Sequence, residues 1–117
     1  MEYRYLGTSG VRVSPLCLGT MMFGDRTDAA EAARIVAAAR EAGVNFIDTA
    51  DVYTQGESER MVGPLIAKDR DRWVLATKVG NAMPAPASSG PGGDDPNRRG
   101  TGLKWIMTAI DASLERL

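Results

Sequence analysis

Hydrophobic and polar positions alternate at the start of the chain. Tyr3 and Tyr5, then Val11 and Val13, are interleaved with polar residues around Gly7-Thr8-Ser9-Gly10, which predicts a β-hairpin over residues 3–13. The short apolar run Leu16-Cys17-Leu18 stops at Gly19-Thr20; it is too short for a helix and predicts a buried strand. The period then changes. Ala32, Ile35, Val36 and Ala39 recur at helical spacing, with Asp28 as an N-cap, Glu31 three residues on as its capping-box partner and Gly43 as the terminator. Val44 to Ile47 predicts a second strand, leading into Asp48-Thr49-Ala50-Asp51. A second helix is expected from about Gly56 to Ser58 onward, carrying Met61, Val62, Leu65 and Ile66. Pro64 lies inside it, which calls for a late start or a kink. Trp73 to Val79 has the composition of a third strand.

The pattern breaks between Asn81 and Gly100. Pro84, Pro86, Pro91 and Pro96 alternate with Gly90, Gly92, Gly93 and Gly100, so residues 81–100 are expected to form a long irregular loop, either a lid or a disordered insertion. A third helix follows, with Leu103, Ile106, Ile110, Leu114 and Leu117 on one face. A hairpin followed by three strand-helix units predicts an α/β fold, with a parallel sheet joined by right-handed crossovers.

Composition narrows the function. The 117 residues carry a formal net charge of -1 and an isoelectric point near 5.4, which argues against nucleic acid, because a phosphate backbone needs a basic face. The cations between Lys68 and Arg99 are interleaved with Asp69, Asp71, Asp94 and Asp95, a mixed solvated surface. No apolar run approaches membrane-spanning length, and the N-terminus has no signal-peptide pattern, so no membrane partner is expected. Cys17 is the single cysteine. It is expected to be a buried core thiol, and with no internal disulfide possible the cytoplasm is the default location. Histidine is absent.

Three ionisable residues stand at or just past predicted strand ends: Asp48 after the second strand, Tyr53 five residues later, and Lys78 at the end of the third. In a (β/α) barrel, catalytic groups gather at that end of the strands. An ordinary tyrosine, with a pKa near about 10, is a poor proton donor at neutral pH. A nearby ammonium improves it by stabilising the phenolate, and a carboxylate keeps the ammonium charged. Such a group can protonate a carbonyl oxygen as hydride reaches the carbon. Each residue also has a plain structural reading: Asp48 as a turn cap, Tyr53 as a rim aromatic, Lys78 as a solvated strand end.

The segment Asn45-Phe46-Ile47-Asp48-Thr49-Ala50-Asp51-Val52-Tyr53, followed by Gly56-Glu57-Ser58-Glu59, resembles the hallmark of the aldo-keto reductases. Arg4-Tyr5-Leu6-Gly7-Thr8-Ser9-Gly10 with Val13-Ser14 is similar to that family's opening hairpin. Leu18-Gly19-Thr20-Met21-Met22-Phe23-Gly24 resembles its first barrel strand and loop, and Ala76-Thr77-Lys78-Val79-Gly80 its third strand end. Pro96-Asn97-Arg98-Arg99-Gly100 and Ala112 to Leu117 resemble its third loop and helix.

The resemblance implies the N-terminal part of a (β/α)8 TIM barrel, with residues 1–117 as a partial domain. It implies an NADPH-dependent reductase of aldehydes and ketones, with a small-molecule carbonyl as partner and no catalytic metal. Tyr53 would be the general acid, Lys78 the residue that tunes it, and Asp48 the holder of Lys78. Gly19, Thr20, Met21 and Asp48 would lie beside the nicotinamide or its ribose, and the 81–100 loop would overhang the substrate mouth. The family's catalytic histidine would follow a fourth strand expected after Leu117, and its adenosine and phosphate contacts come from later strands. The 117 residues alone are therefore expected to be inactive. A cofactor-sensing role like that of potassium-channel β subunits, or an inactive gene fragment, are the alternatives. No feature of the sequence sets an oligomeric state.

Overall fold

The structure is a computed structural model that describes residues 1–84 and 95–117. Strands β1 (Arg4–Tyr5) and β2 (Arg12–Val13) form the expected antiparallel hairpin. A three-stranded parallel sheet follows in the order β3 (Leu18–Gly19), β4 (Phe46–Asp48), β5 (Val74–Ala76). Helix α1 (Ala29–Glu41) links β3 to β4, α2 (Glu57–Ile66) links β4 to β5, and α3 (Leu103–Arg116) follows β5. The hairpin and three strand-helix units are thus present in the expected order. Among the described residues, no helix is long and apolar enough to cross a membrane.

The core lies between the sheet and the first two helices. Ala32 and Val36 of α1, Ile47 of β4, Val62 and Ile66 of α2, and Phe23, Val44 and Trp73 from the connections form one buried cluster. Ile35 and Ala39 pack against it, as the helical spacing predicts. Asp28 caps α1, its carboxylate accepting the Glu31 N–H at 2.8 Å. The reciprocal half of the capping box is replaced, because Glu31 turns outward to pair with Arg34.

The hairpin register sets Tyr5 opposite Arg12, whose guanidinium lies 5.8 Å from the ring centroid, while Val13 turns inward. Several expectations are corrected. Cys17 is exposed rather than buried, because β3 is two residues long and stands at the edge of the sheet, where Leu16 is also exposed. The third strand is shorter than Trp73–Val79, and Thr77 and Lys78 run beyond it. Helix α2 continues through Pro64 and gives way to a 3-10 turn over Ala67–Arg72.

Helix α3 is rotated relative to the apolar stripe in its sequence. It buries Trp105, Ala109 and Ser113, leaving Leu103 and Leu114 at 75% and 69% exposure. Two features set this rotation. Arg116 reaches inward to the fully buried Glu59 of α2 at 2.6 Å. Gly63 of α2 also lets the end of α3 approach closely, since a Cβ there would stand 2.5 Å from the Arg116 carbonyl oxygen. Of the expected 81–100 loop, residues 85–94 lie outside the described residues. Its two flanks are joined where Met83 N–H donates to the Arg98 carbonyl and Gly100 N–H to the Gly80 carbonyl.

Candidate active site

The parallel register sets Gly19 beside Asp48 and Asp48 beside Ala76. Successive residues of a strand point to opposite faces. One step further along each chain come Thr20, Thr49 and Thr77, on the face that carries the helices. Lys78, one more step on, returns to the face of Asp48. Asp48 and Lys78 therefore share the open side of the sheet, although thirty positions separate them in sequence.

Lys78 joins the cluster. Its Nζ donates to Asp48 Oδ1 at 2.5 Å, to the Thr49 carbonyl at 2.8 Å and to Tyr53 Oη at 3.0 Å. It also lies 4.7 Å from the centroid of the Tyr53 ring. Lys78 is thus in direct contact with both of the other sequence-nominated catalytic residues. The Asp48–Lys78 pair is partly open to water, so its net worth to stability is about 0–1 kcal/mol. Its consequence is geometric: it fixes an ammonium against a phenol oxygen.

Tyr53 is presented by a strained turn. Its N–H donates to the Ala50 carbonyl, and the next two residues, Thr54 and Gln55, take left-handed backbone angles (φ 48° and 55°) before Gly56 (φ 92°) opens α2. Left-handed geometry costs roughly 1–2 kcal/mol for a residue with a Cβ. Thr54 Oγ1 helps hold the turn by donating to the Phe23 carbonyl at 3.2 Å.

Partial burial pulls the Lys78 ammonium pKa down, but the hydrogen bonds to Asp48 and Tyr53 outweigh it, so the group sits above the ordinary lysine value of 10.5. A raised folded value means that Lys78 stabilises the fold fully below that ordinary value and ceases to do so as pH rises through the folded one. In an ε-nitrogen NMR titration, Lys78 is expected to deprotonate at higher pH than an ordinary lysine side chain. Asp48→Asn should bring it down; an Asp48→Asn chain with an unmoved Lys78 would refute the pairing.

The other nominated residues fall differently. Gly19 lies at the open end of β3, with no atom within 4 Å of where a Cβ would stand, and Met21 is exposed. Thr20 is buried, and its hydroxyl is engaged with Ser58 Oγ at 2.8 Å and the Asp48 carbonyl at 3.2 Å. An open cleft of about 180 Å³ lies beside the cluster, lined by Val52, Tyr53, Lys78, Val79, Gly80 and Asn81 among others.

Buried polar residues behind the cluster were missed from the sequence: Asp51, Ser58, Glu59 and Ser113. Asp51 has its Oδ2 without a partner among the described residues. Burial raises its carboxyl pKa, the Val52 N–H opposes this, Glu59 adds to it and Arg116 counters. A signal for Ser58 and Glu59 was available, since each strand end is followed by a threonine in Gly19-Thr20, Asp48-Thr49 and Ala76-Thr77. Among the described residues, no cluster of His, Cys, Asp and Glu could hold a metal ion.

A family model described as the aldo/keto reductase family matches residues 15–117. The uncharacterized oxidoreductase YrpG of Bacillus subtilis is 42% identical, over all of this chain and 36% of its own length. A probable voltage-gated potassium channel subunit beta of Arabidopsis thaliana is 38% identical, over all of this chain and 34% of its own. Among solved structures, the aldo-keto reductase AKR11C1 from Bacillus halodurans in its holo form superposes with a TM-score of 0.78 at 40% identity, covering all of this chain and 36% of that one. The chain thus spans about a third of the length of the relatives it matches.

Proposed function

The chain belongs to the aldo/keto reductase family of (β/α)8 barrels, and on that premise we propose that its Asp48–Tyr53–Lys78 cluster is the proton-donating centre of an NADPH-dependent reductase acting on small aldehydes or ketones. The observation that carries this reading is Lys78 Nζ bridging Asp48 Oδ1 and Tyr53 Oη. Tyr53 faces the cleft beside Lys78, where a carbonyl oxygen could accept its proton. As the proton leaves Tyr53 Oη, the ammonium 3.0 Å away offsets the charge left behind. Asp48 holds that ammonium and keeps it charged. The products balance as an alcohol, with a proton gained at oxygen and a hydride at carbon.

The residues present fit the nicotinamide end of such a cofactor. Gly19 offers open backbone beside Asp48, Met21 offers an exposed side chain, and Thr20 keeps its hydroxyl on Ser58 while fixing the strand end between them. A bound nicotinamide would supply the hydride. Residues 1–117 by themselves are proposed to be inactive, because the relatives they match are about three times as long. The proposed setting is the cytoplasm.

The likeness to a potassium channel subunit beta favours a second reading, a protein that senses the cofactor without efficient turnover. The two separate by experiment on the native polypeptide that carries these residues. A reductase consumes NADPH in step with added aldehyde and forms one alcohol for each cofactor oxidised. Tight NADPH binding with negligible carbonyl turnover would overturn the reductase reading in favour of the sensor.

A further inference from the structure

The helix-facing side of the three strand ends carries two neighbouring groups of polar contacts that the proposed chemistry does not use. Thr20 Oγ1 and Thr49 Oγ1 lie 2.8 and 3.0 Å from Ser58 Oγ, and Ser58 Oγ donates to the Thr20 carbonyl at 2.8 Å. Thr77 Oγ1 donates to Glu59 Oε1 at 2.6 Å, and Arg116 of α3 donates to Glu59 Oε2 at 2.6 Å. Ser58, Glu59, Thr20 and Thr49 are all fully buried. Adjacent side chains in the first turn of α2 thus reach the ends of β3, β4 and β5.

Each grip lies next to a group of the proton-donating cluster. Thr49 follows Asp48, and its carbonyl accepts from Lys78 Nζ. Thr77 precedes Lys78, so fixing the Thr77 hydroxyl on the helix side fixes where the lysine leaves the strand on the other. Glu59 is fully shielded from bulk solvent, and a buried carboxylate in two charge-assisted or short hydrogen bonds strongly restricts its partners.

We propose that Ser58 and Glu59 are positioning residues: together they clamp the ends of β3, β4 and β5 from behind the sheet and thereby hold Lys78 at Asp48 and Tyr53. The inference rests on the reading of Asp48, Tyr53 and Lys78 as the proton-donating cluster. Its first readout, however, is the placement of Lys78 rather than turnover.

The test removes one grip and spares the buried ion pair. Thr77→Val deletes the hydroxyl at nearly constant volume, Thr77→Ser keeps it, and Asp69→Asn weakens the fold elsewhere by breaking the pair with Arg40. The ε-nitrogen titration of Lys78 is followed in each, with Asp48 and Tyr53 facing it. The clamp predicts that Thr77→Val moves the Lys78 titration down toward the ordinary lysine value, while Thr77→Ser and Asp69→Asn leave it in place. Turnover of the native polypeptide should fall with Thr77→Val by on the order of 10–100-fold in kcat with little change in KM, as misplacement of a reacting group does. An unmoved Lys78 in Thr77→Val, or an equal movement in Asp69→Asn, overturns the clamp. Full activity in Tyr53→Phe overturns only the assignment of the acid and leaves the Lys78 result standing.

Discussion

Replacing Tyr53 by phenylalanine is expected to lower kcat for carbonyl reduction by about 10²- to 10⁴-fold, the usual contribution of a positioned general acid. The substitution removes one oxygen. The ring keeps its place near Lys78, the 3-10 turn keeps its backbone bonds, and Lys78 retains Asp48 and the Thr49 carbonyl as partners. Proton donation matters chiefly in the transition state, so kcat and kcat/KM should fall together while KM changes little. Steady-state kinetics on the purified variant measure this. A loss smaller than about 10-fold would mean that another group delivers the proton.

Removal of Glu59 is expected to have the largest effect on stability. Its carboxylate is fully buried, and Arg116 is nearly so. Glu59→Ala leaves a guanidinium and the Thr77 hydroxyl without their acceptor, and breaking a buried pair from one side costs about 3–5 kcal/mol. The physical cause is an uncompensated charge rather than a lost attraction. Removing both charges in Glu59→Met with Arg116→Met should therefore recover much of the loss. Urea unfolding of the single and double variants measures the difference through their midpoints. A double variant as unstable as Glu59→Ala would show that the cost lies in packing around α2 and α3.

The sequence and the structure agree where a residue's place follows from local pattern. The α1 stripe of Ala32, Ile35, Val36 and Ala39 is readable because helical spacing alone decides which side meets the sheet. Asp48, Tyr53 and Lys78 are readable because strand ends and their chemistry coincide, helped by the resemblance of the surrounding motif. The misplacements arise where tertiary partners decide. Helix α3 follows Arg116 and the close approach at Gly63 rather than its leucines. Cys17 looks like core in an apolar run, yet it lies at a sheet edge. Glu59 stands between the exposed Glu57 and Arg60 in a charged stretch, where only the fold shows that one carboxylate of the run is buried.

The side-chain geometry also separates two roles that sequence alone had merged. Thr20 is grouped by its motif with Gly19 and Met21 as a neighbour of the cofactor. Its hydroxyl instead belongs to the buried row on the helix side, together with Thr49 and Ser58. The alternation of the strand makes this necessary, since adjacent positions cannot both present their side chains to the mouth.

The central claim is that Tyr53 and Lys78 act as one proton-donating unit, and a double-mutant cycle tests it most directly. Turnover of the native polypeptide with NADPH and a single aldehyde is compared for the parent, Tyr53→Phe, Lys78→Met and the variant carrying both. Residues that work as a unit lose their function once, so the double variant is predicted to be about as slow as the slower single variant. Losses that multiply would show that the two residues act independently and would contradict the account.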